Sequence, residues 1–207
     1  MAVYARDTTE FDRALNFVDA IFGFSVTLLV TTLEVPPAEA WKSPSALLST
    51  GLGDQLTAFA ISFAVVAGFW RTNHRIISTF QALDTATLRM LIYLVAFVIF
   101  IPFTTKAISD PDPADLPLPT AVYATNVAIV VLLSVALVIV AKMRGLSDDR
   151  DTLASQIAGG LTVAVVFAAS IPIAYRFGPD TAKWSWLSLL VLSPAASWIA
   201  RRSVSGR

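Results

Sequence analysis

Long stretches without a charged residue dominate this chain and restrict it to a membrane fold. No charge occurs from Leu116 to Ala141 or from Thr152 to Tyr175. Over the whole chain, 56% of the residues are hydrophobic and 14% are charged, whereas a soluble domain carries about 25% charge. A bilayer core about 30 Å thick is crossed by roughly 20 residues of helix. The sequence therefore predicts an all-α integral membrane protein.

Six apolar segments are long enough to cross the bilayer, and no long linker separates them. They cover about 14–35, 55–77, 88–108, 119–141, 154–176 and 184–200. The start of the chain (MAVYARDTTEFDR) is polar and mixed in charge, unlike the basic start of a signal peptide. We therefore expect the first segment to be retained as a span, and we predict one six-helix transmembrane domain over residues 1–207.

The last two segments carry signals of packing and of the membrane interface. Gly159–Gly160 and Pro172 predict close helix packing and a bend in the fifth segment, with a gating hinge as the alternative. Trp184, Trp186 and Trp198 bracket the sixth segment, which contains Pro194. These three tryptophans are predicted to anchor the segment at the interfaces, where indole rings are enriched.

The distribution of Lys and Arg predicts the orientation. With both termini in the cytoplasm, the inner segments carry eleven of these residues and the outer loops carry four. Cytoplasmic loops are the ones that collect positive charge. The eleven are Arg6, Arg13, Arg71, Arg75, Arg89, Lys142, Arg144, Arg150, Arg201, Arg202 and Arg207; the four are Lys42, Lys106, Arg176 and Lys183. We predict an N-in, C-in multi-pass protein of the plasma membrane.

Composition excludes several classes of function. The formal net charge is zero, so the chain lacks the basic stripe of a nucleic-acid-binding protein. It has no cysteine and a single histidine, His74, so we expect no cofactor and no multi-histidine metal site within one chain. An enzyme needs clustered polar groups in a cleft. Beyond Asp19 and His74 the spans offer mainly Asn126 and Gln156, each predicted to make one interhelical hydrogen bond.

Asp19 is the only charge in the apolar run of the first segment. A carboxylate at a helix centre costs roughly 2.5–3.5 kcal/mol on insertion scales, so it requires a partner or a water-lined cavity. Arg13 lies six residues away and does not share its helix face. Trp70 and His74, four residues apart at the end of the second segment, do share a face, and both can donate to a carboxylate. Asn73 is a further candidate, and an interfacial aromatic with a solvated histidine is the alternative.

The first segment also presents large residues at helical spacing. Phe17, Phe24, Leu28 and Thr31 share a face, and Thr27 lies beside it. If copies of this helix surround an axis, Phe24 and Leu28 form apolar rings, which gate by dewetting. Ordinary packing residues are the alternative interpretation.

These residues resemble a known family. The pattern Arg13-x3-Phe17-Val18-Asp19, followed at once by an apolar helix, is similar to the R-x3-F-S-D motif of the prokaryotic transmembrane protein 175 family, which is related to the lysosomal potassium channel of animals. Trp70-x3-His74 is similar to the W-x3-H pair of that family. The two motifs cover the first two spans, and the other four match in number and length.

The resemblance implies a homotetramer in the bilayer that conducts potassium through a central pore lined by the first helix. The family lacks the T-V-G-Y-G filter loop, and so does this chain. By resemblance, Phe24 forms the narrowest apolar constriction, followed by Leu28 and Thr31, and Thr27 supplies a hydroxyl layer. Arg13, Asp19, Trp70 and His74, by the same resemblance, hold the pore helices together.

This chain departs from the family pattern in three places. Val18 replaces the motif serine, Phe24 stands where isoleucine or leucine is frequent, and Thr31 stands where an apolar residue is usual. The alternative function is a proton-conducting or proton-coupled transporter that uses Asp19 and His74.

Glu34 lies near the predicted outer end of the first segment. It is interpreted either as a group that raises the local cation concentration or as an ordinary helix-end charge.

Overall fold

The computed structural model describes residues 3–147 and 150–205. Within them the chain forms helices and one small antiparallel sheet. The helices are α1 (Thr9–Leu29), α2 (Pro44–Leu47), α3 (Gly53–Ser78), α4 (Thr85–Ile99), α5 (Ile101–Ser109), α6 (Pro111–Ala114), α7 (Pro117–Met143), α8 (Arg150–Phe177), α9 (Pro179–Ser185) and α10 (Leu189–Ser205), and the strands are β1 (Val3–Ala5) and β2 (Ala82–Asp84). The all-α membrane fold is therefore accompanied by two three-residue strands that the sequence analysis did not predict.

Five helical segments of the described residues are long and apolar enough to cross a membrane. They are Thr9–Thr32, Pro44–Ser78, Thr85–Ser109, Pro117–Met143 and Ala154–Phe177, and they correspond to the first five predicted segments. The sixth predicted segment is divided between α9, a 3-10 turn and α10. A sixth span stays a prediction.

The second span begins well before the predicted position of about 55. Ser43 caps α2 by accepting a hydrogen bond from the Ala46 N–H at 3.1 Å, and Pro44 occupies the first turn, where its missing N–H does no harm. A π-helical turn then joins α2 to α3, and Gly51 within it has φ +79°. A left-handed residue at this point suits glycine, and it allows the helix to continue towards Ser78.

The third span is interrupted where α4 meets α5. Pro102 lies in the first turn of α5 and has no N–H to donate to the preceding turn. The span is consequently two helices joined at Phe100. At its other end, Asp84 and Thr87 form a reciprocal capping box that begins α4.

The core is centred on α7, which packs against α4, α5 and α8. The Tyr123 hydroxyl lies 3.1 Å from Ser62 Oγ, and Thr105 Oγ1 lies 2.8 Å from the same atom. These buried contacts tie α3, α5 and α7 together. Asn126 likewise donates to the Phe97 carbonyl of α4 at 3.2 Å, which confirms its predicted interhelical hydrogen bond.

The position of Trp186 contradicts the prediction that it anchors the sixth segment at the membrane interface. Its side chain is only 5% exposed and its ring lies 5.1 Å from the rings of both Tyr123 and Phe167. The 3-10 turn at Trp186–Ser188 turns it towards the core, so it is not an interface anchor. Trp184 and Trp198 are exposed, as an interface position requires.

The glycine pair of α8 confirms the prediction of close packing. A Cβ atom at Gly159 would lie 2.5 Å from Ser197 Oγ of α10, and one at Gly160 would lie 2.6 Å from Val135 Cγ2 of α7. Both helices therefore approach α8 more closely than a side chain permits. The helix runs through Pro172 without ending.

Three segments predicted to share the cytoplasmic side contact one another. β1 pairs with β2, and Phe80 forms a bridge with Ser147, so the N-terminal segment, the 79–84 connection and the 144–147 connection lie together. This grouping agrees with the prediction, from the distribution of Lys and Arg, that these segments lie on the same side of the membrane. The compartment itself stays a prediction, and Arg207, one of the eleven counted residues, lies outside the described residues.

Candidate functional site

The start of α1 is fixed by its own cap and by the sheet beside it. Thr8 Oγ1 accepts a hydrogen bond from the Phe11 N–H at 3.4 Å, and Glu10 and Asp12 lie in the first turn, where negative charge complements the helix dipole. Since Thr8 follows β1 closely, the β1–β2 pairing sets where the helix enters the membrane.

One face of α1, and of the 3-10 turn that continues it (Val30–Thr32), is packed inside the protomer. Val18, Phe22, Ser25, Leu29 and Thr32 are buried and recur at three- and four-residue steps, which is the spacing of a single helix face. This face contacts α3, α4 and α5. It fixes the rotation of the helix, so that the residues on the other side are presented together.

The opposite face of α1 and of this 3-10 turn carries the four predicted pore residues. Phe24 is 69% exposed and Leu28 is 42% exposed, and Thr27 and Thr31 are also exposed. Phe17 extends the same face towards the N-terminus. At about 1.5 Å per residue, the face from Phe17 to Thr31 is about 21 Å long. No described residue of the protomer covers it.

The two threonines of this face donate their hydroxyl protons to backbone carbonyls of the preceding turn. Thr27 Oγ1 donates to the Phe24 carbonyl at 2.8 Å, and Thr31 Oγ1 donates to the Leu28 carbonyl at 2.7 Å. A hydroxyl that donates to its own helix keeps its oxygen lone pairs as acceptors. The face therefore offers acceptor oxygens between apolar side chains, an arrangement that suits a cation better than an anion.

Asp19, Trp70 and His74 are brought together. The indole Nε1 of Trp70 donates to Asp19 Oδ1 at 3.1 Å, and the Trp70 and His74 rings stack with centroids 5.8 Å apart and an interplanar angle of 28°. Because Trp70 and His74 lie on α3, this group connects α1 to α3. Of the candidate donors, the indole is the one that reaches the carboxylate.

Two other candidates do not join this group. Arg13 is exposed and makes no hydrogen bond or ion pair within the described residues, and Asn73 is buried with its carbonyl oxygen unpartnered there. The described part of the chain also contains no set of three His, Asp or Glu side chains that is arranged to hold a metal ion.

Val18, which replaces the motif serine, belongs to the packed face of α1. Its side chain is 1% exposed and is part of the hydrophobic core. The substitution therefore removes a hydroxyl from the protomer interior and adds methyl contacts there. It leaves the exposed face unchanged.

The negative charge of Glu34 is neutralised by a neighbouring lysine. Its carboxylate forms an ion pair with Lys106 Nζ, which also lies 3.9 Å from Asp110 Oδ2. The Glu34 N–H donates to Gln55 Oε1 at 2.8 Å, so Gln55, which was not predicted as a site residue, joins the segment that follows α1 to α3. This ion pair favours a structural role for Glu34 over a free charge that concentrates cations.

A second polar cluster, which we call the clasp, was also missed. It consists of Arg6, Asp84, Thr87 and Arg144. Asp84 is buried, accepts from the Thr87 N–H at 2.8 Å and forms an ion pair with Arg144. Arg6 Nη1 donates to the carbonyls of Ser78 and Phe80 at 2.8 and 2.7 Å. The clasp thus joins the segment before α1 to two connections between spans.

Burial of Asp84 would by itself raise the pKa of its carboxyl. The hydrogen bonds from Thr87 and the charge of Arg144 outweigh this effect and hold the pKa below its usual value of 3.8. The aspartate is consequently charged at neutral pH, which keeps both the cap and the ion pair in place.

Comparison with known proteins places these motifs in a family context. Residues 13–102 match the model of the endosomal/lysosomal potassium channel TMEM175 family. A potassium channel of Streptomyces collinus is 27% identical over 104 residues, which are 49% of this chain and 48% of that protein. The matched region thus spans about half the length of that relative.

A solved structure resembles a larger part of the chain. The crystal structure of a lysosomal potassium-selective channel TMEM175 homolog from Chamaesiphon minutus matches with a TM-score of 0.65 and 24% identity, over 88% of this chain and 99% of that one. At this identity the likeness establishes the fold, which is that of a multi-pass, all-α membrane protein. The resemblance to the transmembrane protein 175 family, an ion channel family and not an enzyme family, is therefore confirmed, and residues 13–102 are the part of the chain that carries it.

Proposed function

We propose that this protein is a potassium-permeable cation channel, a homotetramer whose central pore is lined by α1 and is narrowest at Phe24. The observation that carries the proposal is the uncovered face of α1, which presents Phe24, Thr27, Leu28 and Thr31. Four copies of this face around an axis would enclose a narrow passage with apolar rings and hydroxyl layers.

Contact with lipid alone does not account for the exposed side of α1. Arg13, Asn16 and Asp19 are exposed on the same helix. Charged side chains that face acyl tails are costly, and they normally face a bundle interior or a water-filled cavity. Neighbouring copies of the chain would supply both kinds of surroundings.

In this proposal conduction is controlled by hydration. The rings of Phe24 and Leu28 exclude water when they are close together, and an apolar constriction of this kind gates by dewetting. The oxygens of Thr27 and Thr31 partly replace the hydration shell of a cation that passes. Potassium is proposed as the permeant ion because the names of both relatives specify it. The mechanism requires no cofactor, and we propose the plasma membrane as its location.

The residues near the N-terminal half of α1 are proposed to hold the pore helices in place. The Trp70–Asp19 hydrogen bond and the stacked His74 ring fix α1 against α3 within one subunit. The exposed side chains of Arg13 and Phe17 are then available for contacts with the neighbouring subunit, which would complete the network.

Potassium flux into liposomes tests the proposal. Phe24→Ala should raise the flux several-fold because it shortens the ring at the constriction, while Phe103→Ala, at a similarly exposed phenylalanine on α5, should leave it within about twofold. Native mass spectrometry should give four copies. Absence of flux at every voltage and pH tested, or a solitary chain in mild detergent and in nanodiscs, would refute the proposal.

A further inference from the structure

A cavity of about 180 Å³ lies between α3, α7, α8 and α10. Along α3 it extends from Phe69 to Ile76, and along α8 it extends from Ser155 to Val163. These stretches are about 10 and 12 Å long at about 1.5 Å per residue. The cavity therefore begins near the ends of the two spans on the side of the clasp and reaches most of the way through one leaflet, whose apolar part is about 15 Å thick.

The one charged residue of the lining stands at one end of the cavity, and hydroxyl-bearing and apolar side chains line the rest. Arg75 and Gln156 lie at the end close to the clasp, and the hydroxyl-bearing Ser197 of α10 lies beside them. Phe69 and Val163 lie at the inner end. A ligand that fits this cavity therefore has a polar part near the interface and an apolar part that points into the bilayer.

Two polar groups of the lining lack a counterpart in the described part of the protomer. Arg75 is exposed and makes no ion pair there, and a guanidinium near the membrane interface is a favoured partner of a phosphate. The carbonyl oxygen of Gln156 is buried and accepts no hydrogen bond, which carries its own desolvation penalty. An anion would pair with the Arg75 guanidinium, and a hydrogen-bond donor would satisfy Gln156 Oε1.

We propose that this cavity binds an anionic phospholipid whose headgroup carries a hydroxyl. The lipid phosphate would pair with Arg75, in the bidentate geometry that guanidinium favours. A headgroup hydroxyl would donate to Gln156 Oε1 once the amide turns towards the cavity, because this oxygen is buried in the structure. A volume of 180 Å³ equals that of about six water molecules at ~30 Å³ each, so the cavity holds the phosphate and its immediate neighbours. The acyl chains leave the cavity past Phe69 and Val163 at its inner end and continue into the bilayer.

Lipid binding to the purified full-length protein tests the proposal by native mass spectrometry. Phosphatidylglycerol should be retained at least tenfold more strongly than phosphatidylcholine of the same acyl chains. Arg75→Gln should weaken that retention at least tenfold, because it removes a charge-assisted hydrogen bond. Gln156→Leu, which leaves the charge in place, should weaken it about threefold or more. Arg71→Gln, one turn earlier on α3 and outside the lining, is the matched control and should change it less than twofold.

Further measurements distinguish a lipid headgroup from a free anion, and a lipid-filled cavity from one that is covered by protein. Soluble glycerol phosphate at millimolar concentration should not displace the lipid, and a photoactivatable phosphatidylglycerol should label peptides of α3 and α8. Equal retention of the two lipids, or equal losses in Arg71→Gln and Arg75→Gln, would overturn the proposal. Displacement by glycerol phosphate would overturn it in favour of a free anion, and absence of labelling on both helices would overturn it in favour of a cavity covered by protein. If Arg75→Gln fails to fold, the Gln156→Leu result decides.

Discussion

Replacing Asp84 with asparagine isolates the charge of the clasp from its hydrogen bonds. The asparagine keeps an acceptor oxygen for the Thr87 N–H, which Asp84 Oδ1 contacts at 2.8 Å, so the cap of α4 survives. It loses the ion pair with Arg144. The experiment therefore asks how much an ionic contact between two inter-span connections contributes to the stability of the protein.

The structure sets the expected magnitude between two limits. Breaking a fully buried pair costs about 3–5 kcal/mol, and an exposed pair is worth about 0–1 kcal/mol. The side chain of Asp84 is 4% exposed but that of Arg144 is 38% exposed, so water solvates the freed guanidinium in part. We expect a loss of about 2 kcal/mol, or about 4–8 °C in melting temperature. Asp84→Ala, which also removes the cap, should lose about 1 kcal/mol more.

Thermal denaturation in mild detergent, followed by size-exclusion chromatography at several pH values, measures this loss. Because the pKa of Asp84 is lowered by folding, its charge stabilises the protein above the usual pKa of 3.8, and this stabilisation is lost as the pH falls through the lower, folded-state pKa. The wild type and Asp84→Asn should therefore differ at pH 7 and converge below pH 3.8. Asp180→Asn, at an exposed pair with Lys183, should change stability by less than about 0.5 kcal/mol. Equal melting of the wild type and Asp84→Asn at pH 7 would refute the reasoning.

Three further predictions concern the helices themselves. Asp19→Asn should weaken the Trp70 hydrogen bond that holds α1 against α3 by about 1 kcal/mol, because a charged acceptor becomes neutral. The pore helix is then held less firmly, and native mass spectrometry should detect fewer tetramers; a proton-coupled transporter would instead stay assembled and lose its pH-dependent flux. Tyr123→Phe should destabilise the protein by about 0.6 kcal/mol, and by no more than about 1.7 kcal/mol, the average and the maximum for interhelical hydrogen bonds in a membrane protein, because the hydroxyl 3.1 Å from Ser62 Oγ is removed; an unchanged melting temperature would contradict this. Glu34→Gln should alter potassium flux at low ionic strength by less than about twofold, because Lys106 already neutralises the carboxylate; a larger fall would restore the cation-concentrating interpretation.

The span positions were predictable where charge is absent over a whole segment. The fourth and fifth segments, predicted at 119–141 and 154–176, form Pro117–Met143 and Ala154–Phe177. The second segment was predicted to start too late, since its extension towards the N-terminus depends on the Ser43 cap and the left-handed Gly51 instead of on hydrophobicity.

The candidate site was predictable where helical spacing determines the geometry. The three- and four-residue spacing placed Phe24 and Leu28 on one face, and the i, i+4 spacing of Trp70 and His74 placed both on one side of α3. The partner of Asp84 was not predictable, because Arg144 lies 60 residues further along the chain and no local pattern connects them. The sequence Asp84-x-x-Thr87 before an apolar run does carry the signal of a helix cap, and that signal was overlooked.

Cysteine accessibility on α1 tests most directly whether its exposed face lines the pore. The chain contains no cysteine, so a single introduced thiol is the only target of a cationic, membrane-impermeant thiol reagent. Thr27→Cys lies on the exposed face, and Ser25→Cys, two residues away, lies on the packed face with 0% exposure. We predict that the reagent modifies Thr27→Cys and blocks potassium flux in liposomes, and that it leaves Ser25→Cys unmodified and conducting. Modification of Thr27→Cys without any change in flux, or block through Ser25→Cys alone, would contradict a pore lined by this face.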